Sequence, residues 1–185
     1  MTMTTRRNVV LGAAALAVLA ACGNGVGSDG GERIDARVDA TLTYMTAEYP
    51  GTADLMQKAS GVLVMPLVTE AGLGLGGAYG RGALRIGGTS VDYYSQSQAS
   101  VGLQIGAQQY ASVLFFMTPE ALQNFRTSPG WAAGADVTYA FSDKGETLSA
   151  ATTNILSPVI AVVFGQSGAI AGATLEGTKY TRIIP

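Results

Sequence analysis

The feature that most constrains the fold is a period-two alternation of apolar with small or polar residues, which begins just after Gly61 and continues nearly to the C-terminus. Such alternation is typical of β-strands. Gly87 and Gly88 separate two strand patterns and suit the positive φ angles of a two-residue hairpin loop. Strand patterns cover residues 62–65, 72–77, 81–86, 89–94, 101–106, 112–117, 135–141, 147–154, 159–164, 169–176 and 180–184. The chain is therefore predicted to form a large, mostly antiparallel sheet.

Glycine is unusually frequent within these strand patterns, and the chain holds 25 glycines in all. Glycine weakens a strand unless a bend, a bulge or a close backbone approach requires it. Sheets that coil on themselves use such kinks. We therefore expect strong curvature, in a closed or nearly closed barrel-like sandwich.

The first predicted helix carries an apolar stripe, with Ile34, Val38, Leu42, Met45 and Tyr49 at helical spacing before Pro50 and Gly51. Its polar face carries both signs of charge, since Arg33 and Arg37 lie on one shoulder of the stripe and Asp35 and Asp39 on the other. The stripe either covers the core or lies on a membrane surface. Membrane-surface helices are usually rich in Lys and Arg, which favours the core.

Two shorter helices complete the prediction. One begins at Thr52 as its N-cap and runs to the break at Gly61. The other has Thr118 as its cap, Pro119 at the first helical position and Leu122 and Phe125 facing inward, and it ends over residues 128–130. The predicted fold class is α+β, a large curved sheet with N-terminal helices and one short helix inserted mid-chain.

The N-terminus has the arrangement of a secretory signal peptide, since Arg6 and Arg7 precede an uncharged apolar run, Val9–Ala21. The run is shorter than the roughly 20 residues that cross the hydrocarbon core as a helix, so residues 1–21 are predicted to be a removable signal. The paired arginines fit a twin-arginine export signal, but they are also common in ordinary signal peptides. Both export routes stay open.

Residues 19–22 (LAAC) resemble the lipobox of bacterial lipoproteins, in which the cysteine is acylated before cleavage. We predict that Cys22 carries acyl chains such as palmitate, that residues 22–31 form a flexible glycine-rich tether, and that residues 32–185 form a single domain. The alternative is a chance cysteine after a leader that is simply cleaved or retained. Gly23 is not the aspartate of an inner-membrane retention signal, which favours the outer membrane, on its periplasmic or surface face.

Composition excludes several functions. Without residues 1–21 the chain has nine Lys and Arg against thirteen Asp and Glu, a formal net charge of −4, and no basic cluster for nucleic acid. The chain has no histidine, which excludes imidazole bases and histidine metal sites. Its carboxylates are scattered and lack calcium-loop spacing. We therefore predict a non-enzymatic protein without a metal or cofactor, and an enzyme acting through carboxylates is the weakest alternative.

Two further patterns have a structural interpretation. Gly72–Gly77 fits G-x-G-x-x-G, with Asp92 about twenty residues on, but a hairpin follows where a dinucleotide site needs a long helix. Several aromatic residues are interpreted as core or strand-face residues and not as a ligand cage: Tyr93, Tyr94, Phe115, Phe116 and Trp131.

The glycine-rich segments resemble the bacterial SYLF-domain lipoproteins, and the resemblance runs from about residue 33 to the end. The early segments are residues 61–66 (GVLVMP), 71–77 (AGLGLGG) and 102–108 (GLQIGAQ). Later segments match in the same order: residues 116–118 (FMT), 121–125 (ALQNF), 130–136 (GWAAGAD), 164–166 (FGQ) and 175–179 (LEGTK).

The resemblance implies lipid binding, because eukaryotic members associate with phosphoinositide membranes through an N-terminal amphipathic helix, and some regulate actin. On this chain the corresponding lipid-binding residues are Arg33, Ile34, Arg37, Val38, Leu42 and Met45. Nearby acidic residues argue against strong phosphoinositide selectivity, and an exported protein does not meet cytoplasmic actin. The resemblance thus predicts a lipid-anchored envelope protein with a non-catalytic lipid-binding domain. The alternative is a structural or adhesive surface protein contacting envelope or host partners.

Overall fold

A computed structural model describes residues 28–134, 137–140, 157–165, 168–169, 175 and 177–185. Its helices are α1 (Gly30–Glu48), α2 (Gly51–Lys58) and α3 (Pro119–Thr127). Its strands are β1 (Gly61–Ile86), β2 (Thr89–Phe116), β3 (Trp131–Ala132), β4 (Val137–Ala140), β5 (Val159–Gly165), β6 (Gly168–Ala169) and β7 (Lys179–Ile183). The predicted α+β class with a strongly curved sheet is confirmed. The predicted signal, Cys22, the strand at 147–154 and most of that at 169–176 lie outside the described residues.

One long antiparallel hairpin, β1 and β2, forms the centre of the sheet. Its turn is the predicted one, with φ of 58° at Gly87 and 82° at Gly88. The separate strands predicted before and after this turn are joined into two continuous strands of 26 and 28 residues. The glycines between the predicted strands bend the hairpin without ending it, and the register shifts between Met65 and Val68, Leu73 and Gly74, and Leu84 and Arg85.

The hairpin doubles back on itself. A Cβ atom on Gly82 would lie 1.9 Å from the carbonyl oxygen of Val64, and one on Gly80 would lie 2.8 Å from that of Leu67. The backbone of residues 80–82 therefore packs directly against residues 64–67 of the same strand. This close approach requires glycine at positions 80 and 82. We call residues 61–68 and 110–116 the base half of the hairpin, and residues 77–86 and 89–97 its tip half.

The other strands extend the sheet from β2. Along the main path the order is β3-β7-β2-β5-β4, with β1 also paired to β2 and β6 to β5. The pair β4 and β5 is parallel, and every other described pair is antiparallel. The sheet curls into a half-barrel, which confirms the strong curvature predicted from the glycine content but is more open than the predicted closed or nearly closed barrel.

The base half is buried on both faces. Its inner face, with Leu63, Leu114 and Phe116, packs against Phe125 of α3 and residues of the tip half and β7. Its outer face, with Val64 and Phe115, packs against α1 and α2. Helices α1 and α2 therefore cover the outside of the sheet, and α3 and the fold-back cover the inside.

The two short helices differ in how well the sequence predicts their starts. Thr118 caps α3, because its Oγ1 accepts a hydrogen bond from the backbone N–H of Ala121 at 3.1 Å. Thr52 was predicted to cap α2, and that prediction is wrong, since the helix begins at Gly51. The Thr52 side chain is fully buried and donates to the carbonyl of Tyr49 at 2.7 Å. It joins α2 to the end of α1 and does not satisfy an N–H of its own helix.

Candidate lipid-binding site

The predicted lipid-binding residues lie on α1, which covers the outer face of the base half. Val38 and Met45 are fully buried, and Ile34 is 6% exposed. Leu42 is partly buried against the same cluster. The stripe thus packs in the core, and its contact with lipid would require α1 to leave the sheet. Lipid binding by these residues stays a prediction.

The two predicted arginines lie at the surface and are not brought together with the stripe. Arg33 pairs with the carboxylate of Asp29, one turn earlier in the chain, and both side chains are more than half exposed. Arg37 is also exposed. Exposed pairs of this kind contribute little to stability, so the two side chains are available to other partners at low cost.

The acidic shoulder of α1 is bound to the tip half of the hairpin. Asp35 accepts hydrogen bonds from Ser90 Oγ at 2.6 Å and from the Tyr93 hydroxyl at 2.9 Å. Asp39 accepts one from Arg85 Nη2 at 2.6 Å. These contacts, which join residues more than 40 positions apart, fix the rotation of α1 about its axis and hold its stripe on the sheet.

Tyr93 acts as a neutral donor in this set of contacts. Burial raises the pKa of Tyr93 above its usual range, and the hydrogen bond to the Asp35 carboxylate and its negative charge raise it further. The nearby Arg85 guanidinium lowers it, but less. The hydroxyl therefore keeps its proton at physiological pH and donates a hydrogen bond to Asp35.

An apolar groove of about 260 Å³ opens between α1 and the edge of the base half. Tyr44 of α1 forms one wall, and its ring stacks 5.8 Å from that of Phe164 on β5. Leu67 is 38% exposed and lies in the groove wall where the register of β1 shifts. The lining residues are Thr41, Tyr44, Pro66, Leu67, Gln109, Tyr110, Ala111, Phe164 and Gly165. Within the described residues, this lining carries no charged side chain.

Tyr110 lies at the inner side of the groove and is only 4% exposed. Burial raises the pKa of Tyr110 to about 12, the negative charge of Glu70 adds to the rise, and the Gln96 side chain opposes it. Its hydroxyl is therefore neutral at physiological pH. The groove offers an uncharged surface of aromatic, aliphatic and amide groups, which suits a hydrocarbon chain better than a charged ligand.

The sequence prediction did not find this groove. Its walls come from α1, β1, β2 and β5, whose meeting depends on the fold-back and on strand order. One local signal was available: Pro66 interrupts a strand pattern, and proline in a strand marks an edge or a bulge. Leu67, directly after it, is the exposed apolar residue that this bulge presents.

Three other possible functions can be compared with the part of the chain that the structure describes. No three acidic or cysteine side chains within it lie close enough to hold a metal ion. None of its helices is both long enough and apolar enough to cross a bilayer. Gly72–Gly77 lies within β1, which continues to Ile86, so no helix N-terminus follows the glycines to bind a pyrophosphate.

Comparison with known families gives one match. Residues 97–182 match the family described as Ysc84, a Las17-binding protein and actin regulator. Over residues 97–182 this match confirms the resemblance to SYLF-domain proteins. The matched segment contains β2 from Ser97 onward, all of α3 and the chain as far as Arg182 of β7, whereas α1, α2 and β1 lie before it. No curated protein matches the chain.

Proposed function

We propose that this protein is a cell-envelope lipoprotein whose domain binds phospholipid and catalyses no reaction. The observation that carries the proposal is the SYLF match, since SYLF domains are linked to lipid binding and to actin regulation. Actin is not the partner proposed here, because the predicted signal peptide would export the protein from the cytoplasm. Membrane lipid is the ligand that both the family and the predicted location favour.

The apolar groove supports an acyl chain as the part of the lipid that enters the domain. Each methylene that a chain buries contributes about 0.8 kcal/mol. Tyr44, Leu67 and Phe164 provide an apolar surface beside a bulged strand, without a charged group in the lining that would be desolvated. A lipid bound in this way keeps its headgroup at the protein surface, where the exposed Arg37 of α1 can approach it.

Two modes of lipid contact follow from the position of α1. In the first, α1 stays on the sheet and the acyl chain of the lipid enters the groove beside it. In the second, α1 leaves the sheet and inserts Ile34, Val38, Leu42 and Met45 into the bilayer, as its amphipathic pattern predicts. The second mode breaks the hydrogen bonds of Asp35 and Asp39 and uncovers the outer face of the base half. We therefore favour the first.

Liposome flotation tests the proposal. A form that begins at Ser28 retains every described helix and strand but lacks the predicted signal and Cys22. We expect this form to float with phosphatidylcholine–phosphatidylglycerol vesicles, and Leu67→Gln to weaken binding severalfold. Val91→Gln is the matched control, because Val91 is 41% exposed but does not line the groove.

Two other outcomes of this experiment would contradict parts of the proposal. Equal loss in both variants would point to a general loss of surface hydrophobicity and not to the groove. Failure of the wild-type form to float would contradict lipid binding and favour a structural or adhesive surface role.

The anchor is tested separately in the full chain. Cys22→Ser should remove acylation and release the protein from the membrane fraction, because several acyl chains bind a bilayer far more strongly than a single surface patch. Intact-mass measurement of the mature protein checks the modification directly. A mature wild-type protein without added acyl mass would rule out the lipoprotein assignment while leaving the lipid-binding proposal intact.

A further inference from the structure

A second cavity, of about 490 Å³, lies beside α3 on another part of the domain. Its walls come from α3, from the residue before β1, and from β7. The lining residues are Ser60, Pro119, Leu122, Gln123, Arg126, Thr127 and Arg182. None of them lines the apolar groove beside α1. The two cavities also differ in charge, since this one contains two guanidinium groups.

The two arginines share a single carboxylate oxygen. Arg126 Nη2 lies 3.2 Å from Asp92 Oδ2, and Arg182 Nη2 lies 2.9 Å from the same atom. Asp92 itself does not line the cavity, and its side chain is only 13% exposed. One negative charge therefore faces two positive charges, which leaves one positive charge in excess at the cavity.

The shared carboxylate also orients the arginines. A guanidinium has five N–H donors in a fixed plane. The bonds to Asp92 use Nε and Nη2 of Arg126 and Nη2 of Arg182, and the two side chains are still 41% and 54% exposed. Arg182 also interacts with the Tyr94 hydroxyl. Further guanidinium donors remain beyond these contacts, on two cavity-lining side chains whose positions the contacts already fix. The hydroxyl of Ser60 and the amide of Gln123 add neutral donors.

A purely structural role for this network explains only part of the geometry. The ion pairs join α3 and β7 to β2, but one arginine would be enough to neutralise Asp92. A second guanidinium on the same oxygen adds repulsion between the two cations unless an anion relieves it. Phosphate-bearing ligands match such paired, planar donors because each guanidinium can form two parallel hydrogen bonds.

We propose that Arg126 and Arg182 bind the phosphate group of a phosphate monoester, with Ser60 and Gln123 as neutral donors. The site does not depend on the apolar groove or on lipid binding by it. The phosphate can belong to a free soluble ligand or to a lipid headgroup, and the experiment separates the two sources.

The first arm uses the full chain and inorganic phosphate at constant ionic strength. The readout is the NMR signals of the arginine Nε–H groups, together with the midpoint of thermal unfolding. Phosphate should shift the signals of Arg126 and Arg182 selectively among the eight arginines. Arg126→Gln or Arg182→Gln should weaken binding by roughly tenfold or more, since each removes charged hydrogen bonds.

Two variants sharpen this arm. Lys179→Gln is the matched control, because it removes the same charge from an exposed position on β7 but does not line the cavity. It should leave phosphate binding unchanged. Asp92→Asn removes the shared carboxylate and doubles the excess positive charge, so it should tighten phosphate binding severalfold in protein that still folds. A purely structural network would give a less stable Asp92→Asn protein that does not respond to phosphate.

The second arm uses phosphatidylcholine vesicles with and without phosphatidic acid, which carries a phosphate monoester headgroup. The measured quantity is the increase in binding caused by phosphatidic acid, because anchoring by other parts of the chain is common to both vesicles. Loss of that increase in Arg126→Gln and Arg182→Gln, but not in Lys179→Gln, would assign the phosphate to lipid.

A response to inorganic phosphate without this increase would assign the site to a soluble ligand. If neither probe responds, or if Lys179→Gln lowers both responses equally, the proposal is wrong. None of these outcomes depends on Leu67, so the phosphate site and the apolar groove succeed or fail independently.

Discussion

The two halves of the long hairpin are built from the same two strands but differ in what covers them. Residues 61–65 and 110–116 in the base half are all buried. In the tip half, Ala78, Gly80 and Gly82 are buried, while Tyr79 and Arg81 between them are exposed. The base half lies between two packed layers, and this part of the tip half has one face in water.

This difference follows from the sequence of each half. A strand covered on both faces is a continuous apolar run, whereas a strand covered on one face alternates. Residues 62–65 (VLVM) and 113–116 (VLFF) are of the first kind, and residues 77–82 (GAYGRG) are of the second. Exposed apolar surface arises where the covering ends, and the apolar groove lies at Leu67, where the base half of β1 loses its cover.

Deletion of residues 32–49 should destabilise the protein more than any other change considered, because it exposes the outer face of the base half. Fully burying an aliphatic side chain contributes about 1.5–3 kcal/mol, and α1 buries several, against a total stability of about 5–15 kcal/mol for a typical domain. We expect loss of cooperative unfolding in circular dichroism and aggregation in size-exclusion chromatography. A monomeric, folded deletion variant that no longer binds vesicles would instead support insertion of α1 into the bilayer.

Phe115→Ala should destabilise the base half by about 3–5 kcal/mol, because it removes a fully buried aromatic ring beneath α1. Tyr79→Ala is the matched change in the tip half, where the side chain is 56% exposed, and we expect less than about 0.5 kcal/mol. Urea unfolding monitored by the single tryptophan, Trp131, measures both. Similar losses in the two variants would contradict the difference in covering.

Gly82→Ala should destabilise the protein by about 1–3 kcal/mol, since the new methyl group would meet the Val64 carbonyl and force the two halves apart. Gly77→Ala is the control, because its Cβ would lie 3.3 Å from the carbonyl oxygen of Gln98, a contact that a small adjustment relieves. Thermal unfolding of both variants checks the prediction. A Gly82→Ala protein as stable as the wild type would mean that the fold-back is looser than described.

Local chemistry explains which parts of the fold the sequence predicts. The Gly87-Gly88 turn and the Thr118 cap of α3 depend on residues that are neighbours in the chain, and both predictions are confirmed. Strong curvature is also predictable, because so many glycines in strands require a reason. The Thr52 prediction fails because the helix begins one residue earlier, at Gly51, and the Thr52 hydroxyl donates to the carbonyl of Tyr49, three residues before it.

The sites are less predictable because each one combines distant segments. The stripe on α1 is visible in the sequence, but its position on the sheet depends on Asp35 and Asp39 meeting the tip half more than 40 residues away. Arg126 and Arg182 are isolated basic residues in the sequence. They come together because β7 pairs with β2 and because both arginines meet Asp92 of β2.

Ionisation of Tyr110 is expected to have the smallest effect on stability. It tests whether the boundary between the base half and the groove excludes water. Its folded-state pKa of about 12 lies above the usual value of 10.0. The unfolded chain therefore loses this proton first as pH rises. Stability from the buried neutral hydroxyl is fully present below pH 10 and is lost between about pH 10 and 12, by on the order of 2 kcal/mol.

Tyr110→Phe removes this titrating group while keeping the ring in the groove. The loss of unfolding free energy between pH 9 and pH 11.5, measured by urea titration, should therefore be smaller in Tyr110→Phe than in the wild type. Tyr93 and Tyr94 also have raised pKa values, because burial disfavours their ionised forms, so both proteins should still lose some stability. Measurement of the two proteins at pH 8 is the control, since Tyr110 is then neutral in both the folded protein and the unfolded chain. Equal alkaline losses would mean that water reaches Tyr110 through the groove and that the hydroxyl ionises as readily in the folded protein as in the unfolded chain.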